Sequence, residues 1–374
     1  MKWAFWAATG LIAYTYVGYA CLLRLRALWR SRPVKRGVCQ PSVSVVMVVR
    51  NEEQVLEDKL GNLLGLDYPC DQWEIIAVSD GSTDRTEAIL RDHAKNPRVQ
   101  AIMNQLSQGK AAGLNDAIAL AQGEIIVFTD ARQKIESGAV RLLVENFADP
   151  EVGCASGELM LGDPRCGQEA VQGTGLYWKI EKKIRELESA TGSVVGATGA
   201  LYAVRRSLAV PVPSGTILDD VYIPMNIVRQ KGRVVFDERA HAWDIPDLGA
   251  KREFDRKVRT LTGNYQLVQL APWLLTTENP ILFQFVSHKL LRLFVPFALV
   301  VALLTVFFLR GPVYKLALAC QLAFYALGVL GMVPLKKGPL TRMTDAAFTF
   351  VMLNTAALLA FANFVTGRKA VWLR

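Results

Sequence analysis

The sequence predicts an α/β domain, a mainly parallel sheet with helices on both faces, carried between transmembrane helices. Three observations lead there. From Ser42 to Thr129, short β-branched apolar runs alternate with stretches whose apolar residues recur at helical spacing, as in repeated β-α units with right-handed crossovers. Four runs nearly free of charge, Trp3 to Leu23, Leu293 to Leu309, Leu316 to Val333 and Ala346 to Val365, have the roughly 17–25 residues that cross a bilayer. Finally, 51% of the 374 residues are hydrophobic and mean hydropathy is +0.22, too apolar for a purely soluble chain.

The first apolar run reads as an uncleaved anchor. A signal peptide carries its basic residues before the apolar stretch, whereas Arg24, Arg26, Arg30, Arg32, Lys35 and Arg36 follow it here. Positive flanks stay inside, which puts the middle of the chain in the cytoplasm of a multi-pass cell (inner) membrane protein. Lys336, Lys337 and Arg342 also fall inside. Arg368, Lys369 and Arg374 would then lie outside, so the last span is either re-entrant or set against the bias. The expected organisation is an anchor with a basic juxtamembrane segment over 1–36, a cytoplasmic domain over 42–265, interfacial helices over 266–289 and transmembrane helices over 290–374. The net charge of +9 is concentrated beside the spans, so membrane lipids with anionic headgroups are the expected partner and nucleic acid is not. The six cysteines show no C-x-x-C pair, and three histidines leave little room for a zinc site.

Taken in order, Val43 to Val49 is a strand and Glu52 to Leu66 a helix with Val55, Leu56, Leu60, Leu63 and Leu64 on one face. Glu74 to Val78 is a strand ending in S-D-G-S-T-D, and Thr86 to Lys95 a helix. Val99 to Met103 is a strand, Lys110 to Ala121 a helix, and Glu124 to Thr129 a strand ending in Asp130. Asp80 and Asp130 therefore arrive at the same C-terminal edge of parallel strands, where open α/β sheets bind ligands. Gly81 with Ser82 allows close backbone approach, and Asp80 can accept hydrogen bonds from a base or ribose; as a plain turn the same residues are equally suitable.

V-S-V-V-M-V-V-R-N-E-E, E-I-I-A-V-S-D-G-S-T-D, G-K-A-A-G-L-N and G-E-I-I-V-F-T-D-A occur in the order and spacing of the family 2 glycosyltransferases, which the chain resembles over roughly Ser42 to Thr262. With its anchors it is similar to bacterial exopolysaccharide, cellulose and hyaluronan synthase-type enzymes. The resemblance implies a GT-A nucleotide-sugar-binding domain, inverting transfer from a nucleotide-diphosphate sugar (a UDP-sugar foremost) and a divalent cation, Mg2+ or Mn2+. It implies donor contacts from Asp80 at the base, Glu52 at the nucleoside and Lys110 at the nucleotide or its phosphates. Asp130 takes the place of the first acid of the D-x-D metal motif.

The motif here reads D-A-R, with Arg132 where a second acid is expected, and a guanidinium supplies no oxygen to a hard cation. Three accounts follow. Asp130 holds the metal through diphosphate and water, with His241 or Asp244 completing the shell; Arg132 neutralises the diphosphate directly; or the site is degenerate. Tyr177 to Glu188 reads as a half-buried amphipathic helix with a solvated charged face. Val195 to Ala203 is small and glycine-rich, which places Gly199 and Ala200 beneath the acceptor sugar by the resemblance. Asp219 and Asp220 match the family's acidic motif. Inversion needs one general base; Asp220 takes that role, with Asp219 orienting the acceptor or raising the pKa of Asp220. Arg252, Arg256 and Arg259 share a helix face, and only Arg259 is retained from the Q-x-x-R-W motif of processive synthases. Arg256 and Arg259 clamp diphosphate or lie on anionic lipid.

The expected function is transfer to a lipid-linked or growing glycan acceptor in envelope or exopolysaccharide synthesis. A processive polysaccharide synthase and a non-catalytic nucleotide-sugar-binding subunit are the alternatives, and polysaccharide-assembly partners or a homo-oligomer are the expected protein partners.

Overall fold

The computed structural model describes residues 1–69, 71–163, 168–169, 175–245, 250–333 and 338–367. Lys336, Lys337, Arg368, Lys369, Arg374, Cys70 and Cys166 lie outside the described residues. Nine strands are present among them: β1 (Val43–Val49), β2 (Trp73–Asp80), β3 (Val99–Asn104), β4 (Ile125–Phe128), β5 (Lys134–Ile135), β6 (Val152–Asp163), β7 (Gln168–Glu169), β8 (Tyr202–Arg205) and β9 (Arg233–Asp244). Their order is β3-β2-β1-β4-β8-β6-β9-β5, with β7 on β6.

The first half, β3-β2-β1-β4, is parallel. All seven residues of β1 are buried, as a strand covered on both faces requires. Val43, Val45, Met47 and Val49 face one core and Val46 and Val48 the other. From β4 onward the sheet is mixed: β8 runs antiparallel to β4 and β6, while β9 runs parallel to β6. This reversal matters for the site. Because Phe128 pairs with Tyr202, the loop that precedes β8 returns to the edge at which β4 ends.

The helices are α1 (Lys2–Trp29), α2 (Leu56–Leu64), α3 (Thr86–His93), α4 (Lys110–Leu120), α5 (Ala139–Val144), α6 (Gly175–Thr191), α7 (Asp219–Arg229), α8 (Ala250–Leu270), α9 (Leu282–Val306), α10 (Pro312–Leu330) and α11 (Pro339–Val365). The first α/β helix starts later than its sequence suggests. Asn51 is in the left-handed region at φ 54°, and the amides of Asn51, Glu52 and Glu53 donate to Ser82 Oγ, Thr86 Oγ1 and Asp84 Oδ2. Those amides hold one loop against another, so the helix begins only at Leu56.

Among the described residues four helices, α1, α9, α10 and most of α11, are long and apolar enough to cross a membrane. Phe5 and Ala8 of α1 pack on Ala298, Ala302 and Val306 of α9. Gly331, just past α10, lies so close to α11 that a Cβ would stand 2.5 Å from the Thr344 carbonyl, the small-residue contact typical of membrane helices. The segment between α8 and α9 and the first turn of α9 pack into the second core: Leu274, Ile281 and Phe285 are buried with Val221 and Met225 of α7.

The charged face of α6 is not solvated throughout. Glu181 is 8% and Glu188 0% exposed. His288 joins them, its Nδ1 2.9 Å from Glu188 Oε1 and its Nε2 3.0 Å from Glu181 Oε1. Tyr19 of α1 donates to Glu188 and Arg292 of α9 to Glu181. Helical periodicity reports which face is polar; here that face meets polar side chains of two other helices instead of water.

Candidate active site

The site is built at the C-terminal edge of the parallel strands. Asp80, the last residue of β2, is completely buried. It accepts from Ser107 Oγ at 2.7 Å, the Gln108 amide at 2.7 Å and the Gly109 amide at 3.0 Å. Gly81, at φ 63°, has Ser107 so near that a Cβ would stand 2.5 Å from its nitrogen. The turn after β2 therefore receives the chain's own loop 106–109, and that loop launches α4 with Lys110 as its first residue.

Lys110 is the hub. Its Nζ lies 2.9 Å from Asp130 Oδ1 and 3.2 Å from Asp219 Oδ2. Burial acts to lower its pKa, but Asp130 and Asp219 outweigh that and hold it above the ordinary ammonium range. Asp219 and Asp220 open α7, where the helix dipole favours negative charge. The Ala197 amide donates to the Asp220 carbonyl at 2.7 Å, joining the loop before β8 to α7. A Cβ on Gly199 would stand 3.3 Å from Asp220 Oδ2 and 3.6 Å from Asp130 Oδ2. The missing side chain of Gly199 thus leaves a small gap that the carboxylates of both Asp220 and Asp130 reach. Burial, then repulsion by Asp219, raises the Asp220 pKa to about 6 despite the attraction of Lys110.

Glu52 and Arg132 belong to the same neighbourhood. Burial raises the Glu52 pKa, with Arg132 opposing the rise and Asp130 adding to it. Arg132 itself is exposed. Ala200 contributes its carbonyl, which accepts from Thr129 Oγ1 at 2.9 Å.

The structure adds Lys59, which the sequence reading did not single out. It is 3% exposed and donates to Thr129 Oγ1 at 2.8 Å and to the Gln133 carbonyl at 2.6 Å, bracketing the loop that carries Asp130 and Arg132. Burial lowers its pKa to about 7. The signal was its position: Lys59 falls among Leu56, Leu60 and Leu63 on the apolar face of α2.

The remaining site residues lie further out. His241 is engaged by Glu136 Oε2 at 3.2 Å on Nδ1 and by the Glu238 carbonyl at 2.8 Å on Nε2, not by Asp130. Asp244 accepts from Gln133 Nε2 at 3.2 Å and lies 3.6 Å from Arg256 Nη1, linking Arg256 to the Asp130 loop through Gln133. Arg256 also pairs with Glu253. Arg259, three residues on, is half-buried. Among the described residues no three His, Cys, Asp or Glu side chains are arranged to hold a metal ion.

Comparison with known proteins agrees with this architecture. Residues 44–209 match the family model "Glycosyl transferase family 2". The poly-beta-1,6-N-acetyl-D-glucosamine synthase of Staphylococcus epidermidis is 24% identical over 235 residues, 62% of this chain and 56% of that one. The beta-monoglucosyldiacylglycerol synthase of Synechocystis sp. is 32% identical over 159 residues, 41% of this chain and 32% of that one. The chain thus spans about half the length of the first relative and a third of the second. Among solved structures, the mannosyltransferase PcManGT from Pyrobaculum calidifontis, in complex with GDP-Man and Mn2+, superposes with a TM-score of 0.74 at 22% identity. The match covers 98% of this chain and 99% of that one, a likeness of fold.

Proposed function

The chain carries a family 2 glycosyltransferase domain of GT-A fold, and from that premise we propose that it is a membrane-anchored inverting glycosyltransferase. It moves a sugar from a nucleotide-diphosphate donor to a lipid-linked or glycan acceptor on the cytoplasmic face of the membrane. One observation carries this reading: Lys110 bridges Asp130 and Asp219, while Asp130 and Asp220 both reach the gap at Gly199. A cation and a carboxylate for the donor and a second carboxylate at the same gap for the acceptor are the parts that inversion needs.

Asp220 takes the proton of the acceptor hydroxyl as that oxygen attacks the anomeric carbon, and the bond to the diphosphate oxygen breaks on the opposite face. With its pKa raised to about 6, Asp220 is ionised at neutral pH yet more basic than an ordinary carboxylate. Asp219 adds to that basicity and orients Lys110. The diphosphate leaves toward Lys110, at the start of α4, where amides and an ammonium favour an anion. Arg132 adds exposed positive charge at the rim, and Glu52 faces the nucleoside. Asp80 serves the donor side through the loop it holds, which aims Lys110. Gly199 and Ala200 form the floor under the acceptor. Arg256, linked to the Asp130 loop through Asp244 and Gln133, and Arg259 three residues on are suited to the donor phosphates.

The donor set fits a hard divalent cation in part. Asp130 Oδ1 faces Lys110, and its Oδ2 faces the gap beside Gly199. Mg2+ or Mn2+ would be held by Asp130, with diphosphate and water as the other oxygen ligands; His241 is engaged elsewhere. Such an ion supplies charge neutralisation of the leaving group.

A screen of UDP- and GDP-sugars for release of free nucleoside diphosphate by the purified protein tests the proposal. Donor turnover that depends on Asp220 supports it. Absence of turnover with every donor would favour a binding subunit instead.

A further inference from the structure

A cavity of about 240 Å3 lies well away from Asp220, where three parts of the chain meet: the last turn of α1 at Arg26, the turn from α7 to β9 at Lys231 and Arg233, and the start of α9 at Gln284. Arg32 and Ser193 also line it. Both α1 and α9 have membrane-spanning length, and the cavity touches the ends at which they join the sheet domain. That is the depth of lipid headgroups. On the other side of Arg26 an open hollow of about 430 Å3 is lined by Leu25, Trp29 and Arg30, with Leu25 56% and Trp29 86% exposed.

The charges in the cavity are incompletely balanced. Arg32 pairs with Glu151 at 2.9 Å. Arg233 is 5% exposed and donates to the carbonyls of Gly192, Arg32 and Ser189 at 3.1, 2.7 and 3.0 Å. Its carboxylate neighbour Asp149 is 4.0 Å away. Asp149 and Glu151 are thus the two acidic groups that face a lining of four cations, Arg26, Arg32, Lys231 and Arg233.

Lys231 adds a further cation at the end of α7. The Gly232 amide donates to the Ile227 carbonyl and the Lys231 amide to the Val228 carbonyl, the double closure of a Schellman motif. Lys231 occupies its left-handed position, at φ 69°, where glycine is the favoured residue. A lysine there is strained and exposed, and it lines the same cavity.

We propose that this cavity binds the phosphate of an anionic phospholipid, with Arg26 and Lys231 on the phosphate, Arg233 beneath it and the glycerol and acyl region along Leu25 and Trp29. The adjoining apolar hollow and the depth of the cavity favour a lipid over a soluble anion.

The test uses the full chain in detergent and reads retained lipid by native mass spectrometry, with phosphatidylglycerol, phosphatidylcholine and inorganic phosphate as probes. Phosphatidylglycerol should be retained over phosphatidylcholine, and phosphate should not displace it. Arg26→Gln and Lys231→Gly should each weaken retention about fivefold, the effect of one cation near an anionic headgroup. Lys95→Gln, at an exposed site on the sheet domain, matches the charge change and should have no effect. Lys231→Gly relieves the left-handed strain, so it should fold with unchanged or raised thermal stability, and lost retention would not be misfolding. Equal retention of the two lipids, or unchanged retention in Arg26→Gln and Lys231→Gly, would overturn the proposal. Displacement by equimolar phosphate would reassign the cavity to a soluble anion and overturn it too. No arm depends on sugar transfer.

Discussion

Replacing Gly199 with alanine separates function from stability. The added methyl would stand 3.3 Å from Asp220 Oδ2 and 3.6 Å from Asp130 Oδ2. The first distance is tight enough that the carboxylate must give by a few tenths of an ångström. Gly199 is not among the positive-φ residues, so alanine adopts its backbone without strain. Loss of unfolded-state freedom then gains about 0.4–1 kcal/mol, which offsets the crowding and keeps net stability within about 1 kcal/mol of wild type. Catalysis has no such compensation. The methyl fills the gap that both carboxylates reach, and a displacement of about 1 Å from the in-line arrangement costs on the order of 100-fold in rate. Nucleoside diphosphate release and glycosylated product, measured beside a thermal melt, should show a folded protein with turnover reduced about 100-fold. A folded Gly199→Ala protein that keeps more than about a third of its turnover would refute the idea that reaction takes place in this gap.

Three further outcomes follow from the same geometry. Because the Asp220 pKa is raised to about 6, kcat/KM should fall about tenfold per pH unit below that value. Asp219→Asn removes one cause of the rise, so the acid limb of its pH–rate profile should move to lower pH. Lys59, lowered to about 7 by burial, binds its proton less tightly folded than unfolded. Wild-type stability should therefore rise with pH from about 7 toward 10 and be lowest below that window, and Lys59→Met should flatten the rise in melts at pH 7 and 9. EDTA should cut transfer about tenfold or more, with Mg2+ or Mn2+ restoring it; full activity in EDTA would leave Lys110 and Arg132 as the charges that meet the diphosphate.

Parts of the fold were legible because their causes are local. Val43–Val49 forms a strand over the residues its sequence suggests, since a strand buried on both faces is a continuous apolar run. The arrival of Asp80 and Asp130 at one edge followed from parallel strands alone. The juxtaposition of Gly199 with Asp130 did not, because it depends on β8 running antiparallel to β4, a pairing that hydrophobic pattern leaves open. Helix α2 begins at Leu56, not Glu52, because the amides of residues 51–53 bind the loop after β2. Glu181 and Glu188 read as a solvated face because their partners Tyr19, His288 and Arg292 are more than 90 residues away in the chain. Lys59 left a readable trace, a cation on an apolar helix face, but its partners Thr129 and Gln133 are set by the sheet.

The central claim is that Asp220 is the base of an inverting transfer, and Asp220→Asn tests it most directly. Asparagine keeps the shape of the side chain and cannot accept the proton at neutral pH. With the donor found by the nucleotide-sugar screen, the variant should bind donor with near wild-type affinity by calorimetry and lose transfer. Transfer retained at even about a tenth of wild-type turnover, with donor binding intact, would place the base elsewhere.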